Sequence, residues 1–180
     1  MIKELLLKII EEKHKELQAF KQSGIFDKIK DFEGNAIGQI GEKFIKELFK
    51  KISIPIDNNK EIIHDEFDLL SNDKKIEIKT ARKGLKNDTF QFNGIKAKYN
   101  YDYIILLGIT YDDIYYYIID KKQYYKYDHK KRKEFIKIGE KDKQLVSMNP
   151  GNTVNYKLTL KLDELKPSKD LIEELRILFL

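Results

Sequence analysis

Three residues between positions 66 and 82 have the types and spacing to hold a divalent cation beside a phosphate. Asp68 lies in the apolar run 67–70, and Glu77 and Lys79 alternate with Ile76 and Ile78 in the next one. The stretch Ser71-Asn72-Asp73-Lys74 between them has the composition of a tight turn, so the two runs read as the arms of a β-hairpin. With Asn72 and Asp73 at the turn, counting outwards sets Asp68 opposite Glu77 and Glu66 opposite Lys79, and strand alternation sends all four side chains to one face. Like charges facing each other across a ladder, with Cβ atoms roughly 5 Å apart, destabilise it. A cation held between Asp68 and Glu77 removes that penalty.

The same residues carry a family resemblance. Asp68, followed on the next strand by Glu77-Ile78-Lys79, resembles the core of the PD-(D/E)XK nuclease signature, with Phe67 where the family name has Pro. The resemblance implies an α/β fold with a restriction-endonuclease-like core, a mixed β-sheet flanked by helices. It also implies metal-dependent hydrolysis of a phosphodiester, with Asp68 and Glu77 as ligands of one or two Mg²⁺ ions, Mn²⁺ serving as a substitute. The Ile78 carbonyl is a further ligand, because it sits between the two functional side chains. Lys79 would orient or deprotonate the attacking water and offset phosphate charge.

The elements that must position this hairpin begin upstream. Ile37, Ile40, Phe44, Ile45, Leu48 and Phe49 recur at helical spacing over residues 35–51, and Glu42 lies at the edge of that stripe, sharing a side with Ile45 and Phe49. Gly38 and Gly41 flank it, each costing roughly 1 kcal/mol relative to Ala within a helix, which points to close approach by another backbone or a ligand. The run Ile-Gly-Gln-Ile-Gly-Glu resembles the family's first-helix element, and by that resemblance Glu42 supports the metal cluster or holds Lys79. An earlier amphipathic helix is expected over residues 2–22, packed on the core or forming a dimer interface, with His14 on its surface.

Composition bounds the rest. The 180 residues are 41% hydrophobic and contain no cysteine, which excludes disulfides, thiol catalysis and thiolate metal sites and leaves oxygen ligands or the three histidines. No Pro- or Gly-rich linker divides the chain, so residues 1–180 read as one domain with residues 35–120 as its catalytic core. A formal net charge of +5 suits a polyanionic partner, although 30 acidic residues are mixed among 35 basic ones. No apolar run is long enough to span a bilayer, and Glu4 interrupts any signal core, so the expected location is the cytoplasm of a bacterium with an AT-rich genome. His64-Asp65 matches a phosphohydrolase dipeptide, but that chemistry needs more His and Asp ligands than this chain offers.

Residues 82–101 leave directly from the Lys79 strand and are polar, basic and punctuated by Gly84 and Gly94. Arg82, Lys83, Lys86, Gln91, Asn93, Lys96 and Lys98 are of the types that contact phosphates and base edges. Phe90 and Phe92 read as the buried positions of a strand, with Gln91 and Asn93 facing outward. This segment, with Tyr101-Asp102-Tyr103-Ile104 and the run 106–109, also resembles type II restriction endonucleases of the same superfamily over roughly residues 35–165. Strands are expected at 104–109, buried on both faces, and at 114–119, 144–146 and 156–162, with a last helix from Pro167 through Phe179. The tyrosines at 115–117 and 124–127 suit half-buried strand positions. Residues 128–133 read either as phosphate contacts or as an ordinary charged loop. Asn149 and Asn152, in the turn 147–153, join residues 82–101 as candidates for sequence readout.

The expectation is therefore an Mg²⁺-dependent endonuclease of restriction type that cuts double-stranded DNA. It would act as a homodimer at a two-fold site, with a methyltransferase of the same system acting separately. A nicking subunit, a repair nuclease, a junction resolvase and a catalytically silent DNA-binding domain are the alternatives.

Overall fold

The computed structural model describes residues 7, 9, 24–57, 66–84 and 87–180. Leu7 and Ile9 are helical and exposed; the rest of the expected N-terminal helix, including His14, lies outside the described residues, as do His64, Asp65 and Lys86. The chain forms helix α1 (Gly34–Lys51), strands β1 (Leu69–Ser71), β2 (Lys74–Arg82), β3 (Thr89–Ile95), β4 (Tyr103–Ile109) and β5 (Ile114–Asp120). A one-turn helix α2 (Lys121–Tyr124), strands β6 (Tyr125–Asp128), β7 (Lys133–Ile138), β8 (Lys141–Ser147), β9 (Tyr156–Lys161) and β10 (Lys166–Pro167), and helix α3 (Leu171–Phe179) follow.

These elements make a mixed α/β structure with two sheets, where the sequence pattern had implied one larger sheet. The first runs β1-β2-β4-β5-β10, and its β2–β4 pair is parallel, Ile76 beside Tyr103 through Arg82 beside Ile109. The second, β3-β9-β8-β7-β6, is antiparallel throughout. Strand alternation in residues 89–95 and 156–161 says which face is apolar but not which neighbour it covers, so the division into two sheets was hidden in the pattern.

The layers follow from alternation. In β4, Ile104 and Leu106 pack between the two sheets, while Ile105 and Leu107 pack on the helices, so the strand is buried on both faces as its unbroken apolar run predicts. Phe49 and Ile45 of α1 and Leu171, Leu175 and Phe179 of α3 fill the helical side. Phe90, Phe92, Leu158 and Leu160 fill the inter-sheet side. Each fully buried phenylalanine there would cost roughly 3–5 kcal/mol if cut to alanine.

The β1–β2 hairpin has the expected register, Ser71 opposite Lys74 and Leu69 opposite Ile76. Asn72 and Asp73 take positive φ angles of 46° and 61°, the pair of left-handed residues that a two-residue hairpin turn requires and that Asn and Asp tolerate. The turn is tied down at both sides. Asn72 Nδ2 donates to the Phe179 carbonyl at 2.7 Å, Lys74 Nζ donates to the Leu178 carbonyl, and Ser71 Oγ donates to the Pro55 carbonyl at 2.6 Å. A cation and an amide thus satisfy the last carbonyls of α3 and fix the hairpin against the helical layer.

Candidate active site

Among the described residues, the first sheet leaves the β1-side edge of β2 unpaired beyond Leu69, and the site residues gather there. The regular ladder of β1 with β2 reaches only Leu69; the Asp68 N–H then bonds to the Ile76 carbonyl at 3.0 Å, and the Asp68 carboxylate accepts the Ile78 N–H at 2.7 Å. Beyond this point β2 has β4 on one side and, among the described residues, no strand on the other. The N–H and C=O of a strand residue point to the same side, so the Ile78 carbonyl lies on the edge that Asp68 caps. The ladder's early end also corrects the expected Glu66–Lys79 pair. Glu66 is exposed outside β1, and its charge acts on Lys121 instead.

Three acidic side chains reach this edge from three directions. Ile76 and Ile78 face the helical core, so Glu77 and Lys79 project from the opposite side of β2. Asp68 enters from the end of β1, and Glu42 comes from α1. Glu77 is only 6% exposed, and Lys79 forms an ion pair with its Oε1. Burial pushes the Glu77 carboxyl above the ordinary carboxylate value, the Lys79 ammonium pulls it back, and the Asp68 charge adds to the rise. Burial likewise raises Glu42, with Asp68 again contributing, while Lys46 and Lys79 oppose it. The Lys46–Glu42 ion pair, 3.9 Å long and well exposed, contributes little.

Helix α1 reaches the strand so closely because of Gly41. A Cβ there would lie 1.7 Å from Thr80 Oγ1 and 2.8 Å from Thr80 Cβ. Gly38 is different: a Cβ on it would meet nothing within 4 Å, so the expected close approach holds for one glycine of the two. The buried Thr80 Oγ1 has no hydrogen-bond partner among the described residues. Thr80 carries no chemical signature of its own in the sequence; only the glycine facing it hinted at contact.

A cleft of about 920 Å³ opens beside β2, between the N-terminal half of α1 and strand β3. Glu42, Ile78, Lys79, Arg82, Gln91 and Asn93 line it, so Glu42, Lys79 and part of the expected DNA-reading segment meet there, while Asp68 and Glu77 stand outside its lining. Asn35 and Gln39 join them from the first turns of α1, whose N-cap residue is Glu33. No known family model and no curated protein matches this chain.

The remaining sequence candidates fall elsewhere or are engaged. Lys83 pairs with Asp88 at 3.0 Å, Lys98 is exposed, and Lys96 lies over the Tyr99 ring at 4.5 Å while its charge reaches Glu77. Asn152 Oδ1 accepts the Val154 and Asn155 N–H groups, and the Asn149 carbonyl accepts the Ser147 hydroxyl, so both asparagines shape the β8–β9 turn. In the sequence, Tyr101 reads only as part of a family-like strand, with no role at the site. It is 4% exposed, and burial followed by the nearby Glu77 charge pushes its phenol up, so it stands as a neutral group behind Glu77.

Among the described residues, no three acidic or histidine side chains form a ready cage for a metal ion. That donor set still fits Mg²⁺, which is bound through one or two carboxylates together with waters and substrate phosphate rather than by an all-protein cage. The oxygen-only chemistry of Asp68, Glu77 and the Ile78 carbonyl is of the right kind, and Glu77 already holds a cation, the Lys79 ammonium.

Proposed function

We propose that this protein is a Mg²⁺-dependent endonuclease that hydrolyses phosphodiester bonds in double-stranded DNA, of the type II restriction kind. The observation that supports the reading is the meeting of Asp68, Glu77, Lys79 and Glu42 at the open edge of β2, beside a cleft lined by amide and basic side chains. Asp68, Glu77 and the Ile78 carbonyl would hold the metal, with Glu42 behind them. The bound ion supplies charge neutralisation for the pentacoordinate phosphorus and for the departing oxygen.

The chain's own groups do the rest. Lys79 leaves Glu77, positions a water on the far side of the phosphorus from the leaving group, and offsets the phosphate charge. Glu42 keeps Lys79 aimed. The water oxygen bonds to phosphorus as the bond to the 3′ oxygen breaks; the water gives up its proton to solvent and the departing oxygen takes one from solvent, which leaves a 5′-phosphate and a 3′-hydroxyl. Gln91 and Asn93, joined by a 3.0 Å hydrogen bond from Gln91 Nε2 to Asn93 Oδ1, face the cleft with amide groups suited to base edges. A homodimer would match a palindromic site, and a separate methyltransferase would protect host DNA.

The test is digestion of bacteriophage DNA with Mg²⁺ by wild type, Asp68→Ala and Lys79→Ala. Discrete fragments from wild type alone support restriction-type cleavage. Cutting restricted to nicked or branched duplexes moves the same chemistry to a repair or resolvase setting, and equal cutting by all three proteins refutes the site.

A further inference from the structure

Beyond the cleft, the outer face of the antiparallel sheet has a chemistry of its own. Burial alternates cleanly along β3, β7 and β9, so Thr89, Gln91 and Asn93, Lys133 and Lys137, and Lys157, Thr159 and Lys161 all point away from the inter-sheet core. Thr89 pairs with Lys161 and Gln91 with Thr159, so the cleft-lining strand β3 passes this face on to β9 without a break. The acidic groups on this side are already engaged: Asp142 with Lys126, Glu140 with Lys137, and Asp128 with Lys131 and two backbone N–H groups. Among the described residues the ammonium groups of Lys133, Lys157 and Lys161 form no ion pair: Lys133, across the ladder from Asp128, reaches Gln144 Oε1 at 3.2 Å, and only the backbone N–H of Lys161 donates to Glu164.

We infer that this face is a platform for the phosphate backbone of duplex DNA, with Lys133, Lys157 and Lys161 holding the helix that the cleft cuts. The inference rests on the nuclease reading and adds to it where the flanking duplex lies. Lys157 and Lys161 are four residues apart on one strand, about 13 Å at strand rise, and Lys133 lies two strands further across, about 10 Å. Phosphates recur about every 3.4 Å along the axis on each DNA strand, so three ammonium groups spread over this area can each meet a separate phosphate. Lysine suits this task because it acts as a point charge on a flexible stem, without a fixed geometry to satisfy. An acidic peptide would find the same charge, but the face runs on to Gln91 and Asn93, whose amides suit base edges rather than carboxylates.

The experiment measures binding of a fluorescent 30-base-pair duplex by anisotropy in EDTA, across a salt series, for three proteins. These are wild type, a platform triple (Lys133→Gln, Lys157→Gln, Lys161→Gln) and a control triple of equal net charge on the helical layer (Lys50→Gln, Lys51→Gln, Lys169→Gln). The expected result is a platform triple at least about tenfold weaker at low salt, with the slope of log K against log salt reduced by about 2–3. The control triple should track wild type, and all three should melt together. Equal slope losses in both triples, or none in either, overturn the platform while leaving the cutting site intact. Wild type that shows no salt-dependent duplex binding overturns the platform and the nuclease reading together.

Discussion

The Asp68 carboxylate accepts the Ile78 backbone N–H at 2.7 Å, at the point where β1 has stopped pairing with β2. One side chain therefore ends a ladder and also stands on the edge where a metal would bind. Replacing it separates the two roles. Asp68→Asn keeps an oxygen for the Ile78 N–H, whereas Asp68→Ala leaves that part-buried donor unpaired at a cost of roughly 1–3 kcal/mol. Both variants should lose cleavage by about 10² or more, but only the alanine variant should melt earlier. Thermal melting beside a cleavage assay decides it, and an active Asp68→Asn would remove Asp68 from the metal site.

The two glycines of α1 give opposite expectations. Gly41→Ala places a Cβ against Thr80 and must push the helix off β2, for a loss of roughly 1–3 kcal/mol together with displacement of Glu42 and weaker cleavage. Gly38→Ala meets open space and removes the helix penalty of glycine, for a gain of up to roughly 1 kcal/mol, or a melting point higher by roughly 2–4 °C. Equal melting points for the two variants would show that the helix does not rest on Thr80.

How far the sequence foretold this arrangement depends on what each signal encodes. The hairpin register was legible because Asn72 and Asp73 suit left-handed conformations and because apolar alternation leaves one register. The two-sided burial of β4 was legible from an unbroken apolar run. Strand β7 was not: it follows a lysine-rich stretch, and its buried Glu134 is met by the Tyr125 hydroxyl on β6 and by the charge of Lys121. Of residues 128–133, read either as phosphate contacts or as a charged loop, Asp128 and Lys133 end paired strands and 129–132 form the turn between them. The Glu66–Lys79 pairing failed because a turn fixes register only as far as the ladder continues, and Asp68 ends it. Lys157 and Lys161 carry no motif, and the face they share with Thr89 and Gln91 emerges only from the β3–β9 pairing.

Lys79 and Asp68 act on Glu77 with opposite sign, which makes the carboxyl a reporter of both. Burial raises Glu77, the Lys79 ammonium lowers it and the Asp68 charge raises it. Lys79→Ala should therefore move the Glu77 titration upward, and Asp68→Asn should move it downward, each read by NMR of the side-chain carboxyl carbon. Loss of cleavage in Lys79→Ala by about 10²–10⁴ should accompany the first shift. Shifts of the same sign in both variants would contradict the geometry.

Glu42 and Glu77 both sit above the ordinary carboxylate value of 4.5, burial being the first cause for each. In the unfolded chain they ionise near that value, so the metal-free fold binds extra protons just above it. Its stability is therefore penalised progressively as pH rises from 4.5 through the raised values. A divalent cation needs the ionised forms, so its binding strengthens over the same window and offsets the penalty. The gain in melting temperature on adding saturating Mg²⁺ should be near zero at the acid end. By pH 8 it should grow to roughly 5–10 °C, as expected for a ligand at about 100 times its dissociation constant. Glu77→Gln and Asp68→Asn should abolish the gain. A gain that is constant with pH, or that survives both substitutions, would place the cation elsewhere.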